Sequence, residues 1–390
     1  MVGTTHDRNL VVEKTVDLLD IPRSYYERAV RRYGSIGAWL HRPESKVAVF
    51  NPAVYSQGSF RLGTVIRPLL PRDEYDLDII CEVQARSKAD ISQKDLKDLV
   101  GEELRLYALA HRIETPVKEC PRCWRFNYAD EVNFHIDTVP GLPEDDAFIL
   151  DLIRVGVGTD LAQRAIATTC QSHENYAVIC SDWPSGNPSG YAQWFERRFA
   201  ERALRKRKFL LREGVYDSVE AVPLYALKTP LQRAVQFLKR HRDVMFRDAL
   251  DLKPVSIIIT TLAALSYAGE GELYETLRGV LQRVPEHVQR SFPRIANPVN
   301  PAEDFADRWK AKPELEQHFW LWYEAAVRDF DAIVSETSAA QLQKLSESRL
   351  AARMPDETAN VLLGTPLAKR AAVVTPSIVI ASPPKPWSNA

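Results

Sequence analysis

The nine residues Tyr75–Val83, YDLDIICEV, constrain the fold more than any other stretch of the chain. Leu77, Ile79, Cys81 and Val83 alternate with Asp76, Asp78, Ile80 and Glu82, which is the period of a strand with one face in a core. Asp76 and Asp78 then share the opposite face, roughly 7 Å apart along the backbone. Aspartate is depleted in strands, and two like charges on one face repel unless water or a cation intervenes. That face is therefore either an open, solvated surface or one loaded with metal.

Around this strand the pattern changes twice. Val11, Val12, Val16, Leu18 and Leu19, then Tyr26, Val30 and Tyr33 beyond Pro22, predict one long or kinked helix over residues 10–40. Gly58, Gly63, Pro68 and Pro71 punctuate short β-rich stretches over 52–83. Helix returns at 90–112, and strands are expected at 123–128 and 132–139. In the second of these, Phe134 and Ile136 share one face and His135 and Asp137 the other. A loop rich in Trp, Pro, Gly, Ser and Asn covers 172–195. Helices are expected at 193–212, 228–247, 255–267, 272–283, 313–334 and 338–352, and the proline-rich end from about 370 reads as an extended tail. The order is α+β: a mixed sheet first, helices after.

Composition narrows the function classes. A length of 390 residues suits roughly two or three domains. With 51 basic against 52 acidic residues the net charge is −1, which excludes a chain that holds nucleic acid by bulk charge but leaves room for a local basic groove. Met1–Asp17 carries no apolar segment of the signal-peptide kind, and the longest apolar run, Val255–Tyr267, is shorter than the roughly 20 residues a bilayer span needs. A cytoplasmic protein with no membrane contact is expected. Five cysteines then read as thiols. Cys120 and Cys123 form a C-x-x-C that His111 and His135 could complete as a zinc site on paper; the alternative is two ordinary thiols beside a strand.

The chemistry gathers around the carboxylates. Gly58–Thr64, GSFRLGT, lies shortly upstream of Asp76. A Gly-Ser pair lets backbone N–H groups and a hydroxyl come close to phosphate oxygens. A third carboxylate, Asp137, is set between apolar residues on another strand. Paired carboxylates, a third on another strand and a Gly-Ser turn would build a two-metal site. Mg²⁺ prefers carboxylate, phosphate and water oxygens, so the natural substrate is a nucleoside triphosphate with pyrophosphate leaving.

These residues resemble the polymerase-β-like nucleotidyltransferases. QGSFRLGTVIRP (Gln57–Pro68), EYDLDIICEV, CWRFNY, FHIDTVP, DWPSGNPSGYAQWF, LQRAVQFLKRHRD and KPVSIIITTLAA resemble one branch, the bacterial cGAS/DncV-like nucleotidyltransferases of antiphage (CBASS) defence, over roughly residues 10–335. The resemblance implies a bilobed fold, with a sheet lobe carrying the Asp triad, a helical C-terminal lobe and a long N-terminal spine helix. On this expectation residues 1–195 form the catalytic core with the spine, 196–352 the helical lobe and 353–390 a partly extended tail. It implies template-free joining of nucleoside triphosphates into a cyclic di- or trinucleotide. Asp76 and Asp78 would hold two Mg²⁺ ions, with Mn²⁺ able to substitute, and Asp137 would complete the metal site. Gly58, Ser59, Lys239 and Ser256 would contact the triphosphate, and Gln57 a base or ribose. A monomer is implied, with no long-DNA binding, and in some members the C-terminus, here Ala390, is conjugated by a ubiquitin-like system. Alternatives are transfer of nucleotides to RNA ends, a protein or a small molecule, or a catalytically silent sensor.

Taken from the residues alone, Lys239 is either a point charge for phosphate or a solvated lysine beside the stripe of Leu231, Ala234, Val235 and Leu238. Ser256, after Pro254, is either an anion contact or a plain N-cap. Tyr191, Trp194 and Phe195 are base-stacking candidates or core anchors. Arg197–Arg212 holds eight basic residues and one acid, a rim for anions or a solvated helix face. His135 is a neighbour of Asp137 or a structural histidine.

Overall fold

Pro22 has no N–H to continue a helix and pushes the residue before it towards extended backbone. The chain accordingly starts with two separate helices, α1 (Thr5–Asp17) and α2 (Arg23–His41), where one long or kinked helix was expected over 10–40. The break has a packing reason. Val11, Val12, Val16 and Leu19 enter one hydrophobic core, whereas Ala29, Ile36 and Leu40 enter another. A Thr4–Asp7 capping box starts α1. The computed structural model describes residues 4–70, 74–128, 134–212 and 228–363.

The second core belongs to a mixed sheet. Its strands are β1 (Pro52–Ser56), β2 (Tyr75–Val83), β3 (Lys118–Glu119), β4 (Trp124–Tyr128), β5 (Phe134–Pro143), β6 (Ile166–Thr168) and β7 (Ser185–Gly186). The order is β1-β2-β5-β4-β3, with β6 paired to the far end of β5 and β7 to β6. β2 and β5 run parallel; the other pairs are antiparallel. A short helix, α3 (Gly58–Leu62), follows β1, and α4 (Gln93–Ala110) returns the chain from β2. The apolar faces of β2 and β5, from Leu77 and Ile79 to Phe134 and Ile136, pack with α2 and α4. On the other face Ile80 departs from expectation: it is buried, and it separates the open Asp76 and Asp78 from the partly exposed Glu82.

The first core is helical. α5 (Asp146–Arg154), α6 (Thr159–Ala162) and α7 (Pro188–Arg212) lead into α8 (Pro230–Met245), α9 (Ser256–Ser266) and α10 (Leu273–His287). A small hairpin, β8 (Ala296–Asn297) with β9 (Asn300–Asp304), precedes α11 (Arg308–Ala311), α12 (Glu314–Ser335), α13 (Ala339–Leu350) and α14 (Asp356–Leu362). α1 packs with α8, α10, α12 and α14, so the first helix of the chain belongs to the helical core. The expected boundary at 195 falls inside α7. Within 353–390, Met354 and Ala359 are buried and α14 packs on α13. The proline-rich end and Ala390, with its expected conjugation, lie outside the described residues.

Two halves with separate cores meet along α8. Thr229 and Gln232 form its capping box, with Pro230 in the first turn. Its inner face carries amide and cationic side chains that donate to main-chain carbonyls of the other half. Gln232 Nε2 reaches Leu62 O at 2.9 Å, Gln236 Nε2 reaches Val65 O at 2.7 Å, and Lys239 Nζ reaches Thr64 O at 3.1 Å. Arg240 donates to Arg67 O. Among the described residues no helix is long and apolar enough to cross a membrane.

Candidate active site

Strand register decides where the acids meet. In the parallel pair β2–β5, Asp78 lies opposite Asp137 and Asp76 opposite His135. Neighbouring strands are roughly 4.8 Å apart, so three carboxylates remote in sequence share one patch of the sheet. Gly58 closes the patch from the side. Its φ is +64°, and a Cβ there would lie 2.0 Å from Asp78 Oδ2. Only glycine allows this turn to lie against the carboxylate. The backbone N–H of Gln57 donates to Asp78 O at 2.9 Å, which ties the turn to β2.

The carboxylates divide into two kinds. Asp76 is exposed and Asp78 half-buried by surface, yet most of their surroundings are protein. Burial pushes Asp76 up from the ordinary carboxylate value. Burial, then the charges of Asp76 and Asp137, push Asp78 up to about 6. Asp137 behaves oppositely. Despite its burial, Arg125 and His135 hold it well below the usual range. Arg125 on β4 faces Asp137 in register and binds it with two N–H donors, Nε to Oδ1 at 2.8 Å and Nη2 to Oδ2 at 2.7 Å. His135 Nε2 stands 3.2 Å from Asp137 Oδ1 and its Nδ1 3.0 Å from Glu74 Oε2, and these acids push the imidazole up. His135 is thus an electrostatic neighbour of Asp137. Among the described residues no three acidic, imidazole or thiol side chains stand together as a ready cation site, and Asp137 is bound to Arg125.

Lys239 is not the solvated lysine of the simplest reading. It is buried, and burial, then Arg242, bring its ammonium down to about 8 while Asp243, Asp76 and Asp78 oppose that shift. Its position makes it a cation that the acidic pair feels across the two halves. Ser256 is not an N-cap: Val255 occupies that position, and Ser256 is the first helical residue. Its hydroxyl accepts from Arg242 Nη1 at 2.9 Å. The next residue, Ile257, lines a cavity of about 350 Å³. Gln57, Gly58 and Asp78 line that cavity together with Tyr191, Glu303 and Phe305. Ser59 follows directly in α3.

The remaining candidates divide. Tyr191 is buried, donates or accepts at Thr261 Oγ1 (2.8 Å) and still lines the cavity. Phe195 is a core anchor and Trp194 packs beside it. Arg197 pairs with Asp160, and Arg198 donates to the carbonyls of Ala264 and Tyr267. The side chains of Arg202, Lys206, Arg207 and Arg212 lie outside the described residues. Cys123 sits against Asp137, where burial and that charge push its thiol up. His111 is bound at the end of α4 to Tyr107 O and meets the Trp39 ring edge-on. Arg125, Glu303 and Asn297 were not singled out in the sequence. Arg125 left one signal: it shares the predicted strand 123–128, which pairs antiparallel with 134–138.

Residues 52–140 match the nucleotidyltransferase-domain model described as cyclic GMP-AMP synthase DncV-like. A c-di-GMP synthase of Roseivirga ehrenbergii is 31% identical over 313 residues, 78% of this chain and 74% of that protein. The cyclic dinucleotide synthase CdnG of Bradyrhizobium diazoefficiens is 25% identical over 309 residues, 75% of this chain and 67% of its own length. The structure of that CdnG in complex with GTP superposes with a TM-score of 0.63 at 20% identity, covering 92% of this chain and 98% of the other. Two cores, a mixed sheet with Asp78 in register with Asp137 and Asp76 beside them, and relatedness over most of both chains lead to one assignment: the protein is a nucleotidyltransferase and belongs to the cGAS/DncV-like branch of the polymerase-β-like superfamily.

Proposed function

We propose that the protein joins two nucleoside triphosphates, at least one of them GTP, into a cyclic dinucleotide. The observation that carries the reading is the register of Asp78 against Asp137, with Asp76 beside them and a glycine turn at the edge of a nucleotide-sized cavity. The names of the Roseivirga and Bradyrhizobium relatives support a cyclic dinucleotide as product. In each of two steps a ribose hydroxyl oxygen bonds to an α-phosphorus, the bond to pyrophosphate breaks, and the hydroxyl proton is lost to solvent or base. The second step closes the ring.

The donor set fits divalent ions. Two acids pushed up by burial and by repulsion from neighbouring carboxylates are short of positive charge, and hard oxygen ligands suit Mg²⁺ or Mn²⁺. Asp76 and Asp78 would hold two such ions and Asp137 would complete the set on leaving Arg125. When bound, the ions supply charge neutralisation for the hydroxyl and the leaving pyrophosphate. Gly58 and Ser59 bring main-chain N–H groups and a hydroxyl to the triphosphate, Lys239 adds a buried positive charge behind it, and Ser256 with Arg242 borders it. Gln57 contacts the ribose or base. The family resemblance extends the reading to antiphage signalling in the bacterial cytoplasm.

The test is product analysis. Full-length protein, Mg²⁺ and labelled ATP, GTP, CTP and UTP, singly and mixed, followed by phosphatase and mass spectrometry, should give a phosphatase-resistant cyclic dinucleotide. Asp76→Ala with Asp78→Ala should lower its formation by several orders of magnitude. Linear or tethered products from the wild type, or near-wild-type rates from the double variant, would overturn the reading.

A further inference from the structure

The cavity beside the acids has few polar side chains that are not already committed. Of Gln57, Arg61, Asp78, Asn187, Asn297 and Glu303, Arg61 pairs with Glu196 and Asp78 belongs to the acidic patch. Asn187 is spent on the main chain at both ends, with Nδ2 to Leu161 O at 2.8 Å and Oδ1 from Gly190 N at 2.9 Å. Asn297 is spent as well: its Oδ1 accepts from Val299 N at 3.0 Å and its Nδ2 donates to Glu303 Oε2 at 2.7 Å. That last bond matters. The β8–β9 hairpin turns Asn297 into a fixed donor that sets the orientation of the Glu303 head group. Among the described residues no other hydrogen bond reaches the Glu303 carboxylate, so Oε1 and the second lone pair of Oε2 keep their acceptor capacity.

A carboxylate offers acceptors only. Guanine alone presents two adjacent donors, N1–H and N2–H, on its Watson–Crick edge. Adenine and cytosine place a ring-nitrogen acceptor beside their single amino donor, and uracil places carbonyl acceptors on both sides of N3–H. An acceptor pair therefore bonds guanine twice and meets a lone pair with each of the others. We propose that Glu303, oriented by Asn297, selects guanine in this cavity by accepting from N1–H and N2–H of the base. Phe305 lines the same cavity two residues on, with its ring 6.0 Å from that of Tyr191 in an edge-on arrangement, and supplies an apolar surface for the base. Burial pushes the Glu303 carboxyl up, while the Asn297 hydrogen bond and the charge of Arg122 act the other way; two guanine donors add to the second group.

The proposal rests on the cavity being a nucleotide site of a nucleotide-joining enzyme, and the experiment separates the two. Equilibrium binding of GTP, ITP and ATP to the full-length wild type is measured in Ca²⁺ to suppress turnover, and product ratios are measured in Mg²⁺ with equimolar GTP and ATP. ITP lacks only the N2 amine and should bind roughly 10-fold more weakly than GTP. Glu303→Gln replaces two acceptors with one donor and one acceptor, a match for the adenine edge. It should lower the GTP-to-ATP preference by about 10–100-fold in both assays. Equal binding of GTP and ITP, or an unchanged GTP-to-ATP ratio in Glu303→Gln, would overturn the role of Glu303 whatever the enzyme makes. A wild type that prefers GTP over ITP but forms no cyclic product leaves guanine selection standing and removes the proposed reaction. The ITP comparison needs no variant, so it decides even if Glu303→Gln fails to fold.

Discussion

At the scale of single residues, the two acids on β2 are held at a cost that pH reveals. Asp78 is pushed up to about 6 from an ordinary 3.8. Between those values the folded protein binds a proton that the unfolded chain has lost, so stability falls as pH rises through this window. Asp78→Asn removes the term. With EDTA present, the variant should gain on the order of 1–2 kcal/mol relative to wild type on going from pH 4 to pH 7.5, the full shift being reduced by solvent at this half-buried site. Urea midpoints at the two pH values measure this. A constant difference between the two proteins would mean that Asp78 is not strained by its neighbours. The same residues show what could be read in advance. Asp76 and Asp78 stood out because acids in an alternating strand violate local preference. Arg125 did not, because an arginine on a strand face is unremarkable until register places its guanidinium on Asp137. Glu303 was hidden for the same reason, since its role depends on one amide across a two-stranded hairpin.

At the scale of elements, packing overrides propensity at one identifiable point. Gly101 lies in the middle of α4, where glycine costs about 1 kcal/mol against alanine. A Cβ there would meet Trp124 indole atoms at 2.3–2.7 Å. Trp124 is buried, and its Nε1 donates to Lys97 O at 2.8 Å. Gly101→Ala should therefore destabilise by about 1–3 kcal/mol despite its better helix propensity, as read by thermal or urea unfolding. A stabilised variant would show that β4 yields easily. Strand identity was legible here from alternation: β2, β4 and β5 fall within a few residues of expectation. Helix continuity was not. The stripe of apolar residues over 10–40 continues across Pro22, but α1 and α2 serve different cores, and periodicity says nothing about which core a stripe faces.

At the scale of the whole molecule, the two cores are joined by donors on α8 and carbonyls on residues 62–67, and that segment follows directly on the glycine turn. Gln236 is the centre of the row, donating to Val65 O and to Asp20 Oδ1 at 3.1 Å. Gln236→Ala should cost about 1–3 kcal/mol, because it leaves a buried carbonyl without a partner. It should also lower nucleotide incorporation by loosening the turn. Thermal unfolding and the labelled-nucleotide assay read both effects. Unchanged stability would place the contact between halves elsewhere. Two lobes could be expected from the shift in composition along the chain, but not this seam, which is written in side chains that individually look like ordinary helix-surface residues.

A main chain held by its oxygens cannot slide along the rod that holds it. At the distal end of α8, Arg242 likewise donates to Pro254 O and to the Ser256 hydroxyl, so the same helix also holds the start of α9. One row of side chains on α8 thus ties the helical half to the segment that follows the glycine turn beside the acids of the sheet.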